Sequence, residues 1–467
     1  MNHQVHTHKP DRLGGDRARS RQRWWAVGLA GVTGLALTTV GVAASPAADA
    51  AERTLTAVDD RGNRDDDKRN NGRTHGDSGK GKAKPNAMGM PVPCDADTLI
   101  AAITLANARG GAVLNLAKGC TYLLTADLDG AGLPVITTPI TLNGGTSTTI
   151  KRDSAAEPFR ILTVDAGGDL TLNHVTVTGG QTEGTNNGGG ILVNSGGALA
   201  INHSAITHNT GNNGGGVANL GRATVTHSRV SGNTARVSAG GLRNAGRLTV
   251  DHSAITGNTA NAGVGVGFGG GIGSFAGGVT VINRSSITRN HSVVAGGGIG
   301  DFNATTTVIG STIVGNTAAA TGGGVFTEGR LTLRHVDLVG NHASSDGGGG
   351  FNIQNILGTS VATIEDSKIA NNSTRGVGGG IRNLAATILL RNARVAGNQA
   401  DNGGGVFNNS TATLTLLSTK VVENTAVTDG GGIFNIVGGT VNLNTATGTT
   451  VIRNRPNNCV DVPGCPG

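Results

Sequence analysis

The residues of this chain that could do chemistry recur in columns. Histidine is the most visible: His174, His203, His227, His252 and His335 share one place in successive repeats, and Asp366 and Asn392 occupy it elsewhere. Imidazoles one strand spacing apart could bind a transition metal. The column falls, however, at a corner between strand-like runs, where backbone turns left-handed and Asn, Asp and His are enriched. Asp366 and Asn392 fit that corner better than they fit a metal site.

A second column reads Leu192, Ala218, Arg243, Gly273, Gly300, Phe326, Asn352, Arg382, Phe407 and Phe434. Aromatic faces and guanidinium groups on a flat sheet can hold a sugar polymer by stacking and by pairing with carboxylates. Phe326, Arg382, Phe407 and Phe434 are therefore the candidate ligand strip. The competing expectation is that these rings pack beneath neighbouring loops, since exposed Phe is a liability in a secreted protein.

Acidic chemistry is sparse. Asp346, Asp401 and Asp429 each enter a glycine run, but calcium needs several oxygens converging, and no single loop supplies them. Lyases need a carboxylate cluster and a base, and hydrolases need paired carboxylates. Asp337 with Glu365, and Glu365 with Asp366 and Lys368, come nearest. No catalytic residue, metal site or cofactor is assigned, with Ca2+ relevant only to a lyase.

The elements that position these columns announce themselves by repetition. Gly403-Gly404-Gly405-Val406-Phe407-Asn408-Asn409 has relatives throughout, and the apolar residue after the glycines falls at Ile191, Val217, Leu242, Ile272, Ile299, Val325, Phe351, Ile381, Val406 and Ile433. Successive steps are 26, 25, 30, 27, 26, 26, 30, 25 and 27, a solenoid period. Within a repeat, Leu248-Thr249-Val250-Asp251-His252-Ser253-Ala254-Ile255 alternates as strands do, so Leu248, Val250, Ser253 and Ile255 point inward. Three strands per coil make an all-β, right-handed parallel β-helix of about eleven or twelve coils stacked about 4.8 Å apart. Asn209, Asn233, Asn258, Asn290, Asn316, Asn341, Asn372, Asn398, Asn424 and Asn454 close the third strands. Stacked amides can hydrogen-bond coil to coil, so this ladder is structural. The triple glycine opens a strand and recurs, whereas a phosphate loop occurs once and opens a helix.

With Phe-Asn-Asn at 407 to 409 and Phe-Asn at 434 to 435, the glycine-run phrase resembles the repeats of the polymorphic outer-membrane protein family. The whole coil resembles the pectin-lyase-type right-handed parallel β-helix, over residues 159–455. The resemblance implies a scaffold shared by adhesins, structural surface proteins and glycan-cleaving enzymes.

Around the repeats, composition marks further segments. Basic residues from Lys9 to Arg23, an uncharged run and small-residue cleavage signals make 1–50 a signal peptide. Residues 51–93, with nine basic and seven acidic side chains and few large apolar groups, read as a disordered linker. Residues 94–158 read as an N-terminal cap with the first strands: Leu99, Ile100, Ile103 and Ala106 share a helical face, Asp97 can cap it, and Gly110 suits its C-terminus. Residues 456–467 form a C-terminal disulfide tail. Cys94 with Cys120 and Cys459 with Cys465 are the expected bridges among the three possible connectivities. Neither pair has the spacing or the His partner of a zinc site.

From Cys94 onward the charge is 22 basic against 20 acidic residues, so the sequence pI of 9.6 says little about the folded part. Without a basic stripe interleaved with aromatics, nucleic acid is not the expected partner. The expectation is a secreted or cell-surface binding and scaffold protein, adhesin-like, directed at extracellular glycan or cell wall. It has no membrane span once the signal peptide is removed, and its oligomeric state is left open. The alternative is a polysaccharide lyase or glycoside hydrolase acting on an acidic polysaccharide.

Overall fold

A strand with one apolar face must bury it, and in a chain of near-identical strands the next coil supplies the neighbour. The computed structural model describes residues 89–261, 267–355 and 360–466. They form a parallel β-solenoid of about 14 turns, with coils of about 26 residues. The signal peptide and nearly all of the linker expected at 51–93 lie outside the described residues. One coil illustrates the path: Ile272–Ser274 lies in sheet 1, Val279–Asn283 in sheet 2, Ser286–Thr288 in sheet 3 and His291–Ser292 in sheet 4. These sheets hold 12, 14, 13 and 9 strands among the described residues. Leu248, Val250, Ser253 and Ile255 are all buried, as alternation requires.

Two features of the architecture differ from expectation. The solenoid has more turns than eleven or twelve because Ala112–Leu116 and Pro139–Asn143 already pair in register within sheet 2, before the glycine phrase begins. A fourth strand joins many coils because the chain after each ladder asparagine stays extended and pairs with its neighbour, as Thr234 does with Thr259.

The glycine triple is required sterically. Gly403 has φ 64°, Cβ on Gly404 would lie 2.4 Å from the Thr425 carbonyl oxygen, and Cβ on Gly405 would lie 2.5 Å from that of Gly432. Neighbouring coils approach too closely for a side chain.

At the N-terminal end, the helix Ala96–Ala108 packs against the first strands through Leu99, Ala102, Ile103 and Ala106, with Ile100 partly buried. Asp95 rather than Asp97 caps it, accepting from the Thr98 amide at 2.8 Å, because the helix starts one residue earlier than the apolar pattern implies. Gly110 takes the left-handed φ of 80°. Residues assigned to the end of the linker are also structured: Met90–Val92 pairs with Leu114, Asn115 and Leu116, burying Val92. This strand satisfies an edge that sheet 2 would otherwise leave open. Cys94 is bonded to Cys120 and Cys459 to Cys465. In the tail, Cys459–Val460 adds a last strand to sheet 1. Among the described residues no helix is long and apolar enough to cross a membrane.

Candidate binding groove

Each asparagine from Asn209 to Asn424 donates from Nδ2 to the Oδ1 of the next, at 2.9 to 3.0 Å. The same Oδ1 also accepts a backbone N–H of the preceding coil, as from Asn290 to Asn316 at 2.9 Å. Every member is buried, so the ladder holds the stack together and meets no ligand.

Outside it, the histidine column turns each coil from sheet 2 into sheet 3. His174, His203, His227, His252, His335, Asp366 and Asn392 all have φ between 45° and 56°. Arg284, Gly310 and Ser418 complete the column with φ of 43°, 55° and 49°. Sequence reasoning missed these three because their types differ. The available signal was their place directly before a buried Ser or Thr: Ser285, Ser311 and Thr419 follow them as Ser204, Ser228 and Ser253 follow histidines. These hydroxyls form a second ladder, Ser228 Oγ accepting from the Ser204 amide at 3.0 Å.

Because the corner conformation repeats, the imidazoles project alike. The rings of His174, His203, His227 and His252 stack with centroids 5.1, 5.1 and 4.9 Å apart and planes within 10°. Nitrogen lone pairs lie in the ring planes, so here they run parallel rather than converging as a tetrahedral metal site needs. No group of three or more His, Cys, Asp or Glu suits a metal ion among the described residues. Asp251 ends the ladder, 2.7 Å from His252 Nδ1 and 3.0 Å from Arg284. Its hydrogen bond with His252, helped by Arg284, holds its carboxyl below the usual range.

This corner is concave. Its N-terminal part is a groove of about 990 Å3 lined by the four stacked histidines, Arg229, Arg284 and small hydroxyl residues. Thr312 on that lining pairs in register with Asp337, which opens a second part of about 340 Å3. There Lys368, Arg394 and Lys420 face solvent in direct register on sheet 3. Asp337 adjoins this column, and Glu423 lies 3.9 Å from Arg394. Of the candidate acidic pairs, Glu365 is taken by Arg391 at 2.6 Å, and Asp366 accepts from Asn392 at 2.7 Å.

The aromatic strip does not form an open platform. Phe326 is only 2% exposed and Phe407 8%, while Arg382 and Phe434 are half-buried. Chain leading into the glycines folds over them: Cβ on Gly322 would lie 2.9 Å from that of Phe326. Phe326 instead packs with Phe268 and Phe302, and Phe407 stacks on Phe434 at 5.8 Å. Burial lowers the basicity of the Arg382 guanidinium. Asp346 and Asp401 are exposed, and Asp429 accepts from the Gly430 amide and Asn457.

One polar residue escaped sequence reasoning altogether. Asp301 is fully buried, two places after Ile299, and burial pushes its carboxyl up to about 6. Comparison with known proteins found no match: no family model, curated protein or solved structure is significantly similar to the chain.

Proposed function

We propose that this is a secreted or cell-surface binding and scaffold protein that holds an extended acidic polysaccharide in the groove between sheets 2 and 3. The observation that carries the reading is the column Lys368, Arg394 and Lys420, three cations side by side on successive coils. Like charges directly opposite on a sheet destabilise it. A polymer presenting regularly spaced carboxylates would relieve that repulsion and gain charge-assisted hydrogen bonds.

Shape agrees with this occupant. The two parts of the groove follow one another along the same corner over successive coils, which suits an extended chain better than a compact small molecule. Two disulfides accord with an oxidising environment. The adhesin-like and pectin-lyase-like resemblances support only the choice of scaffold, since this architecture serves many functions.

Calorimetric titration with polygalacturonate tests the reading. The double substitution Arg394→Gln with Lys420→Gln should weaken binding about tenfold, roughly 1.4 kcal/mol, and added salt should weaken the parent protein. Unchanged affinity in the double variant would remove the groove as the site. Release of unsaturated or reducing ends during the titration would replace the binding reading with an enzymatic one.

A further inference from the structure

The groove carries cations of two kinds. In its C-terminal part it presents Lys368, Arg394 and Lys420, and in its N-terminal part His174, His203, His227 and His252. Imidazole is the side-chain type whose charge changes in the physiological pH range. All four rings are exposed, and they stand 4.9 to 5.1 Å apart on one line. The charged groups around them are Lys118 packed over Gly145 at the start of the groove, Arg229 on the adjoining strand, Arg284 at the ladder's end, and Asp251, which is engaged by His252 and Arg284. No acidic side chain lines this part of the groove itself among the described residues.

Resting on the groove as the binding site, we propose that proton uptake by the histidine ladder lengthens the footprint of the bound polyanion. At neutral pH the polymer is held by the Lys368–Arg394–Lys420 column and Arg284. On acidification it extends over His252, His227, His203 and His174, one anionic group per coil. Adjacent imidazolium groups repel one another, so protonation of the empty ladder opposes itself. A carboxylate seated beside two rings offsets the repulsion, and proton binding and polymer binding therefore strengthen each other by the same factor. The advantage belongs only to a polymer long enough to span both parts of the groove. A short oligomer is satisfied by the permanent cations alone.

Titrations of the full chain with long polygalacturonate and with a short oligogalacturonate, at pH 7.5 and 5.5 and constant ionic strength, test this. Those values bracket the ordinary imidazole value of about 6.5. For the long polymer, affinity should rise about tenfold on acidification with net proton uptake, read from calorimetry in two buffers of different ionisation heat. The short oligomer should show little rise. His203→Asn with His227→Asn should remove most of the rise without unfolding the protein, since Asn392 already occupies this corner at φ 49°.

An equal rise in the double variant, or a rise without proton uptake in the parent protein, would overturn the inference. Binding at pH 7.5 that depends on Arg394 and Lys420 but ignores acid would sink the ladder's role while leaving the groove intact. Failure of the parent protein to bind at either pH would instead remove the groove reading itself. Tighter binding of a single-stranded oligonucleotide than of polygalacturonate would overturn the polymer class.

Discussion

Besides a short run from Asn115 to Asn202, two buried asparagine columns extend along this solenoid, and of these two one is unbroken and the other interrupted. The ladder from Asn209 to Asn454 has ten members without a break. The other, two residues after each post-glycine apolar residue, reads Val193, Asn219, Asn244, Ser274, Asp301, Thr327, Ile353, Asn383, Asn408 and Asn435. In the first ladder each interior amide serves a backbone N–H, a neighbouring amide and a carbonyl, so a substitute would strand several buried groups. In the second, the Oδ1 accepts the amide of the adjoining turn, as Asn244 does from Gly246, and a shorter side chain can meet that local demand, as Thr327 Oγ1 does for Gly329. A side chain stays the same along the stack here where no shorter one could reach the buried groups of the next coil.

Breaking the continuous ladder should have the largest effect. Asn316→Ala removes the acceptor of two bonds from Asn290 and the donor to Ile287 and Asn341. We expect a loss of about 4 kcal/mol by denaturant titration, with amide exchange accelerated first in the flanking coils. A loss below about 1 kcal/mol would show that the two ladders are equivalent.

Repairing the broken ladder comes next. Asp301 is protonated more readily in the folded protein, about 6 against 3.8, so its contribution to stability is complete below about 3.8 and disappears as pH rises through about 6. Asp301→Asn should therefore stabilise the protein at pH 7.5 by up to about 3 kcal/mol and change little at pH 4. The melting temperature at both pH values reads this directly, and a variant less stable at pH 7.5 would contradict it. Burial likewise raises the neighbouring Glu328, which pairs with Gln354, so part of the acid stabilisation should survive the substitution.

The smallest effect is expected in the exposed column outside the ladders. His203→Asn should change stability by less than about 0.5 kcal/mol, because its side chain is in solvent and the corner accepts Asn. A melting curve indistinguishable from that of the parent protein is the expected outcome. Histidine there is not demanded by the fold, and this makes its repetition and stacking available for binding.

Local alternation and repetition at a fixed step were enough to set the solenoid, its period and its inward residues. The left-handed corner at His174, His203, His227 and His252 was legible for the same reason, the preference being a property of each residue's own backbone. Other features were decided only when the coils stacked. Phe326 and Phe407 became covered because the chain leading into the glycines folds over them and rings from other coils pack against them, and no pattern within a strand records what lies above. Arg284 joined the histidines, and Lys368, Arg394 and Lys420 met in one column, through register between coils. Period-two alternation shows that a residue faces outward. Only the concave junction of sheets 2 and 3 converts certain outward residues into the walls of a groove.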